Sequence, residues 1–425
     1  LKASFLHLGD VHLGHEQYGR RERAEDFARA FHYAVEYALR NGVDFVAVAG
    51  DLFERSTLDP VTFDQTLSGL KQLMEAGVPL VAIAGNHDRA RYGQDMAWLE
   101  SLGRQGFLFY LDAVEPEGIR LTRRTSFEGP GGYLEINGIR IAGMRYLGAS
   151  TARAVEELAA QLKALDTSTH PYTVVLLHAG LDGVVPNFRA ELTYDQLAPL
   201  RNVADYVALG HIHQHYVRED WAYNPGSLET WNAGEVGWER GFLHVEVDTS
   251  KEPKHTARLV QPPRRPFLRY RLEVEPCGSP QHLLELLQRS AAEWARETRG
   301  GPKPVVHLTL AGRLRFDRRD LDLGVLESAL AEALQPLVVQ VRDQTDETAF
   351  EVRTPEEGGT LDRAALEAEV LRQLFANDDR RVHKASGWAR LAQSLKLGAL
   401  SKEDPARLAD LVRREIAELN HGSVE

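Results

Sequence analysis

Cysteine is almost absent from this 425-residue chain, Cys277 being the single one. No intrachain disulfide can form, which fits a reducing compartment and excludes a disulfide-stapled secreted scaffold. Cys277 lies in the turn-like stretch "EPCGSP", with no histidine nearby in sequence to make it a nucleophile. An excess of positive charge is missing too. The formal net charge is −12, which excludes bulk attraction to nucleic acid or anionic lipid but leaves room for a local basic or metal-rich cleft. No apolar run reaches the roughly 20 residues that a membrane span needs. The N-terminus runs directly into "ASFLHLGD", without a charged leader, a long apolar stretch or a cleavage site. A cytoplasmic protein is the expectation. Internal repeats and low-complexity tracts are also lacking.

What is present is ordinary globular material, 43% hydrophobic and 26% charged. At about 100–200 residues per domain, two or three domains are expected. Short apolar runs recur, each ending in glycine or a polar residue: "FLHLGD", "VDFVAVAGD", "VPLVAIAGNHD", "YTVVLLHAG" and "ADYVALGHIH". Their length and valine content predict buried strands. Between the first of them, residues 23–40 place Phe27, Phe31, Val35 and Leu39 on one helical face, stopped by Asn41-Gly42. Residues 61–76 predict a second helix. Strands alternating with helices predict an α/β layered architecture, with "YLEIN" and "IRIAGM" forming a hairpin across Gly138. The three prolines of "QPPRRPF" at 261–267 mark a linker. A strand–helix–strand–helix–strand pattern follows, and "TPEEGGT" at 354–360 marks a second boundary. The expected domains are therefore 1–265, a small α+β domain at 266–353, and a helical segment at 354–425. In that last segment Asp404 caps a helix begun by Pro405. The segment either packs on itself or docks a partner's helix.

The chemistry sits at the strand ends. After the first strand come Asp10 and His12; after the second, Asp51; after the third, Asn86; after the fourth, His178; after the fifth, His211 and His213. Seven oxygen and nitrogen donors are too many for one ion and suit two. A natural division gives Asp10, His12, Asp51 and His213 to one ion, and Asp51, Asn86, His178 and His211 to the other. Asp51 bridges, because a carboxylate offers about four lone-pair sites and a neutral imidazole only one. No seat is left for His215. Imidazole, carboxylate and amide ligands without thiolate fit manganese, iron or zinc, with manganese the working choice. Two such ions about 3.5–4 Å apart clamp the oxygens of an in-line displacement at phosphorus. Two divalent ions against Asp10 and Asp51 leave the centre net positive. His87, between Asn86 and Asp88, is placed to bond the scissile phosphate or protonate the leaving alkoxide. Asp88 is expected to hold its tautomer, and Arg89 to contact the substrate.

These motifs resemble the calcineurin-like metallophosphoesterases. "HLGHEQYG" at 12–19, "GNHDR" at 85–89, "GMRYLG" at 143–148, "ALGHIH" at 208–213 and "NPGSLETW" at 224–231 narrow the resemblance to SbcD-type repair nucleases, the prokaryotic counterparts of meiotic recombination eleven. The resemblance covers residues 1 to about 260 well, is looser over 266–350 and is only architectural over 361–425. It implies a layered β-sandwich flanked by helices, a capping domain and a C-terminal helical segment. It also implies a manganese-dependent DNA nuclease of double-strand break repair, exonuclease on duplex ends and endonuclease on single strands. The same seven ligands and the catalytic His87 carry over. An SbcC-type coiled-coil ATPase is the implied partner, docked by the C-terminal helices. A homodimer through segments 61–76 and 90–103 is implied as well. One departure stands out: where close relatives often carry histidine after "GDLF", this chain has Glu54, expected to repel phosphate. Two rival readings remain, a phosphatase or nucleotide phosphodiesterase for small substrates and a non-catalytic scaffold.

Overall fold

The apolar runs carry hydrophobic side chains at nearly every position, so a strand built from them must be buried on both faces. The computed structural model describes residues 1–90, 95–127, 131–165, 171–186, 189–297, 301–346, 363–376 and 381–421, and it shows how both faces are covered. In the strand Lys2–Leu8, Phe5 enters one buried cluster while Leu6 and Leu8 enter another. Phe45–Val48 and Leu80–Ala82 alternate in the same way.

These three strands run parallel inside a six-stranded sheet. Its order is His255–Val260, Phe242–Asp248, Lys2–Leu8, Phe45–Val48, Leu80–Ala82, Phe109–Tyr110. A second six-stranded sheet has the order Tyr216–Arg218, Ala222–Asn224, Tyr206–Gly210, Tyr172–His178, Ile139–Met144, Tyr133–Ile136. Phe5, Phe45, Val81, Val174, Leu176 and Tyr206 fill the layer between the sheets. Helices Arg21–Asn41 and Pro60–Glu75 cover the outer face of the first sheet through Phe31, Val35, Leu70 and Leu73. Helix Thr151–Ala164 covers the second through Val155, Leu158 and Leu162. The fold is thus the expected α/β sandwich flanked by helices.

Local signals act where they stand. Gly42, at φ 61, ends the first helix by giving its N–H to the Ala38 and Leu39 carbonyls. Asp59 caps the second by accepting from the N–H groups of Val61 and Thr62, with Pro60 in the first turn. Asn137 and Gly138, both at positive φ, turn the hairpin between Tyr133–Ile136 and Ile139–Met144.

One polar side chain crosses the inter-sheet layer. His7 is fully buried; Tyr206 Oη lies 2.9 Å from its Nδ1 and the Leu209 carbonyl 3.0 Å from its Nε2. A carbonyl only accepts, so Nε2 carries the proton and Nδ1 accepts from the tyrosine. Burial pushes the His7 imidazole down to about 3, against the opposing pull of the carbonyl. The unfolded chain therefore binds a proton here that the fold refuses. Stability from this group is complete above pH 6.5 and drains away as pH falls toward 3. His7→Gln, which keeps a donor and cannot titrate, is expected to flatten the pH dependence of urea unfolding between pH 6 and 4. The change is about one proton's slope, ~1.4 kcal/mol per pH unit.

The chain divides into two compact units. One comprises Leu1–Arg271, Leu287–Thr309 and Gly324–Arg342; the other comprises Leu272–Leu286, Leu310–Leu323 and Asp343–Glu425. The stretch expected as a cap carries strands Phe267–Glu273, Val305–Arg313 and Val338–Asp346 with helices Pro280–Glu297 and Leu323–Leu334. The C-terminal part carries helices Arg363–Ala376, Ala385–Leu400 and Pro405–His421, the last capped by Asp404 on the Ala406 N–H at 3.0 Å. The boundary stretch 354–360, and residues 91–94 of one segment assigned to dimerisation, lie outside the described residues. Among the described residues no helix is long and apolar enough to cross a membrane.

Candidate metal centre

Parallel strands present their C-terminal ends on one edge, and there the two sheets converge. A Cβ at Gly50 would lie 2.3 Å from His178 Nδ1, and one at Gly85 2.1 Å from Asp51 Oδ1. Glycine before the functional residue is what lets these loops close on one another. The backbone is also bent to aim the side chains. Among the described residues ten non-glycine positions have positive φ, and four of them are Asp10, His12, Asp51 and His211. Such conformations cost on the order of 1–3 kcal/mol each and persist where the surroundings enforce them.

All seven candidate ligands come together. Ligand atoms of Asp10, His12 and His213 lie within 4.8 Å of one another, as do those of Asp51, His178 and His211. Asn86 Oδ1 joins the second group, 3.0 Å from His178 Nε2 and 3.1 Å from His211 Nδ1. Asp51 Oδ2 lies between the groups, 3.2 Å from His178 Nε2 and 4.0 Å from His12 Nε2. His215 is elsewhere, its Nδ1 bonded to the Asn224 carbonyl at 2.7 Å.

The outward nitrogens decide what the inward ones can do. His12 Nδ1 lies 2.9 Å from Glu54 Oε2, and His213 Nδ1 2.9 Å from Glu235 Oε1. His178 Nδ1 lies 2.8 Å from the Ala49 carbonyl, and His211 Nε2 3.1 Å from Glu191 Oε1. Carbonyls and ionised carboxylates only accept, so each ring spends its N–H outward and turns a bare lone pair inward. His12 Nε2 and His213 Nε2 then face each other at 3.1 Å. Lone pairs so close repel unless positive charge lies between them. The donor set therefore fits divalent cations.

Titration directions show the carboxylates drawing positive charge into the cluster, a proton or a cation competing for the same inward nitrogens. Burial opposes a charged His178, but the Asp51 carboxylate outweighs it and pushes the imidazole up to about 10. Burial likewise opposes ionised Asp51, yet His178 holds it well below the usual carboxylate range. His213 is raised, its burial overcome by Glu235, whereas burial prevails at His12 and lowers it.

Residues 3–215 match the calcineurin-like phosphoesterase family. The chain belongs to this family. It is also similar to the DNA double-strand break repair protein Mre11 of Aeropyrum pernix, 28% identical over 317 residues and covering 72% of each chain. The protein of that name from Archaeoglobus fulgidus is 34% identical over 243 residues, 55% of this chain and 51% of its own. That from Methanopyrus kandleri is 30% identical over 262 residues, 57% and 53%. The chain thus spans about half the length of the last two.

In this phosphoesterase the "GNHD" turn works differently from its sequence reading. Asp88 does not orient His87. Its buried carboxylate accepts from the N–H groups of Gly85 (2.9 Å), Phe53 (3.0 Å) and Leu52 (3.2 Å), because adjacent residues of a tight turn point apart. Burial, then the nearby Asp51 charge, push this carboxyl up to about 7. His87 is held by Glu54 instead: its Nδ1 donates to the Glu54 carbonyl at 2.8 Å, and its backbone N–H to Asp51 Oδ1 at 2.8 Å. Nε2 of this partly exposed ring faces outward, an acceptor in the neutral ring and a donor when both nitrogens carry a proton. Nor does the Glu54 side chain confront phosphate. It is 8% exposed and lies 2.9 and 3.1 Å from His12 and His15 Nδ1.

The phosphoesterase also revises the charge balance. Asp10, Asp51, Glu54, Glu191 and Glu235, with Arg240 Nη1 2.8 Å from Glu235, bring the centre close to neutral once two divalent ions are added, not net positive. Phosphate attraction then falls to rim cations. Arg89 bonds the Tyr146 carbonyl at 3.2 Å and lies over that ring at 4.9 Å, while Arg55 lines an open cleft of about 450 Å³ with Asn86 and His87. Arg23 and Arg265, two arginines near the motifs, serve the fold by pairing with buried Asp26. Glu191 and Glu235 carry no motif signal. Only the rule that a ligating histidine anchors its other nitrogen predicts that such carboxylates exist.

Proposed function

We propose that this phosphoesterase is a two-metal DNA phosphodiesterase of the SbcD type, cutting duplex ends as an exonuclease and single strands as an endonuclease. The observation that carries the reading is the meeting of seven ligand-type side chains around Asp51, with the outer nitrogens of His178 and His213 hydrogen-bonded and those of His12 and His211 within ion-pair distance of a carboxylate. The names of the archaeal relatives support DNA as the substrate and break repair as the setting. Asp10, His12, Asp51 and His213 hold one ion; Asp51, Asn86, His178 and His211 hold the other. Manganese suits this mixture of imidazole, carboxylate and amide donors. Divalent ions held there would polarise a phosphoryl oxygen and make a water more acidic.

The chain's own residues do the rest. His87, with Nδ1–H fixed on the Glu54 carbonyl, would donate from Nε2 to a phosphate oxygen or the leaving alkoxide in its doubly protonated form, in which both ring nitrogens carry a proton. Arg89 and Arg55 supply phosphate contacts at the rim. Asp88 acts by holding the two loops. By resemblance, the partners are an SbcC-type coiled-coil ATPase docked on the C-terminal helices and a second copy of the chain.

The test is cleavage of end-labelled duplex and hairpin DNA with manganese or with chelator, comparing the native chain with His87→Ser. Cleavage is expected to need the metal and to fall ~10²–10⁴-fold in the variant. Manganese binding should be kept. Native cleavage by His87→Ser, or in chelator, would overturn the reading; a free nucleotide ester turned over faster than DNA would favour the small-substrate alternative.

A further inference from the structure

We infer that Trp231 is a positioning residue that locks the Asp10, His12 and His213 half of the centre, an inference that rests on the two-ion reading. Two carboxylates stand behind the histidines of this half, Glu54 behind His12 and Glu235 behind His213. Trp231 bonds both. Its indole Nε1–H donates to Glu54 Oε2 at 2.9 Å, and its backbone N–H donates to Glu235 Oε2 at 3.1 Å. One residue therefore joins two anchors that are 181 positions apart by number and that flank the facing imidazoles.

Trp231 is itself well fixed. Its carbonyl accepts from Gln17 Nε2 at 2.6 Å and from His15 Nε2 at 3.3 Å. Its ring stacks on His15 with centroids 5.2 Å apart and planes 11° apart. It meets His213 and His12 at centroid distances of 5.6 and 6.1 Å. The other half is anchored by other means. His178 rests on the Ala49 carbonyl, and Glu191 behind His211 takes the Gly180 N–H and the Tyr146 hydroxyl.

The physical consequence is specific to one ion. Glu54 Oε2 receives both the His12 imidazole and the indole N–H, each at 2.9 Å. Without the indole donor the carboxylate loses one of the bonds that fix its rotamer. The carboxylate 2.9 Å from His12 Nδ1 is then less firmly placed behind that ring. Losing such support behind a ligand weakens metal binding about 10–100-fold.

The experiment titrates the full chain with Mn(II) alone, by calorimetry and tryptophan fluorescence. Trp231→Phe keeps the ring and the backbone N–H but lacks the indole donor. It is expected to bind one of two ions about 10-fold or more weakly, to bind the other as the native chain does, and to keep its melting temperature. The part of the native fluorescence that Mn(II) quenches should be missing from the variant. Glu54→Gln should weaken the same ion, and the double variant should be no weaker than Glu54→Gln, because both act through one contact. Trp231→Tyr, which also lacks the indole donor, gives the same reading if the phenylalanine variant does not fold. Two ions bound with native affinity by these variants, equal loss at both ions, or additive losses in the double variant would each overturn the role of Trp231. A native chain that binds no Mn(II) would instead overturn the two-ion centre itself.

Discussion

Asp51→Asn is expected to lower metal-dependent DNA cleavage about 10³-fold, the scale of losing a group that acts directly on transition-state charge. The variant should bind at most one manganese ion where the native chain binds two. Among the described residues Asp51 is the side chain placed between the two ligand groups, with Oδ2 3.2 Å from His178 Nε2 and 4.0 Å from His12 Nε2. Its other oxygen accepts the His87 backbone N–H at 2.8 Å. An amide has one acceptor oxygen and no charge. If that oxygen faces the ions, the NH₂ meets the His87 N–H donor; if it faces His87, the NH₂ meets the ions. Both orientations place like against like at a side chain that is 2% exposed. The check is calorimetric stoichiometry with Mn(II) beside a cleavage assay. Two ions bound with native affinity would show that Asp51 is not the bridge.

How far the centre could be read in the sequence follows from where each residue's signal lies. Asp10, Asp51, Asn86, His178 and His211 each come straight after an apolar run, and in four of the five a glycine comes between. The strand ending and the close approach write themselves into adjacent letters. The fold was legible for the same reason: Phe5, Leu6, Phe45 and Val46 alternate between two buried layers, so the runs are continuous. The anchors were not legible. Glu54 and Glu191 lie on loops and Glu235 ends the short 3-10 helix Ala233–Glu235; they reach their histidines only after the chain has folded, and a solvated glutamate looks no different on paper. Glu54 was even misread, because nothing in "GDLFE" tells that its carboxylate turns back toward His12 and His15. Asp88 was misread for the opposite reason. Being next to His87 in sequence suggested contact, whereas a tight turn sends neighbours in different directions.

That turn is the site of the second large effect. Asp88→Asn is expected to cost about 1–3 kcal/mol of folding stability, the desolvation penalty of the one buried donor that the amide leaves without an acceptor in its better orientation. Asp88 is 3% exposed and receives three backbone N–H groups. Those of Leu52 and Phe53 belong to the loop after the second motif strand, that of Gly85 to the loop after the third. The carboxylate is thus a staple between the loop that carries Asp51 and the loop that carries Asn86. Oδ2 takes two of the donors and Oδ1 the third, so an amide in either orientation sets its NH₂ against at least one N–H. Urea unfolding measures the loss directly. Comparison with His87→Ser separates shape from chemistry. The serine variant should keep stability and manganese affinity while cleavage falls. The asparagine variant should lose stability and manganese affinity together, because its loops no longer hold Asp51 and Asn86 in one place. If Asp88→Asn instead unfolds like the native chain but cleaves DNA no better than His87→Ser, the carboxylate acts on the reaction and not on the loops.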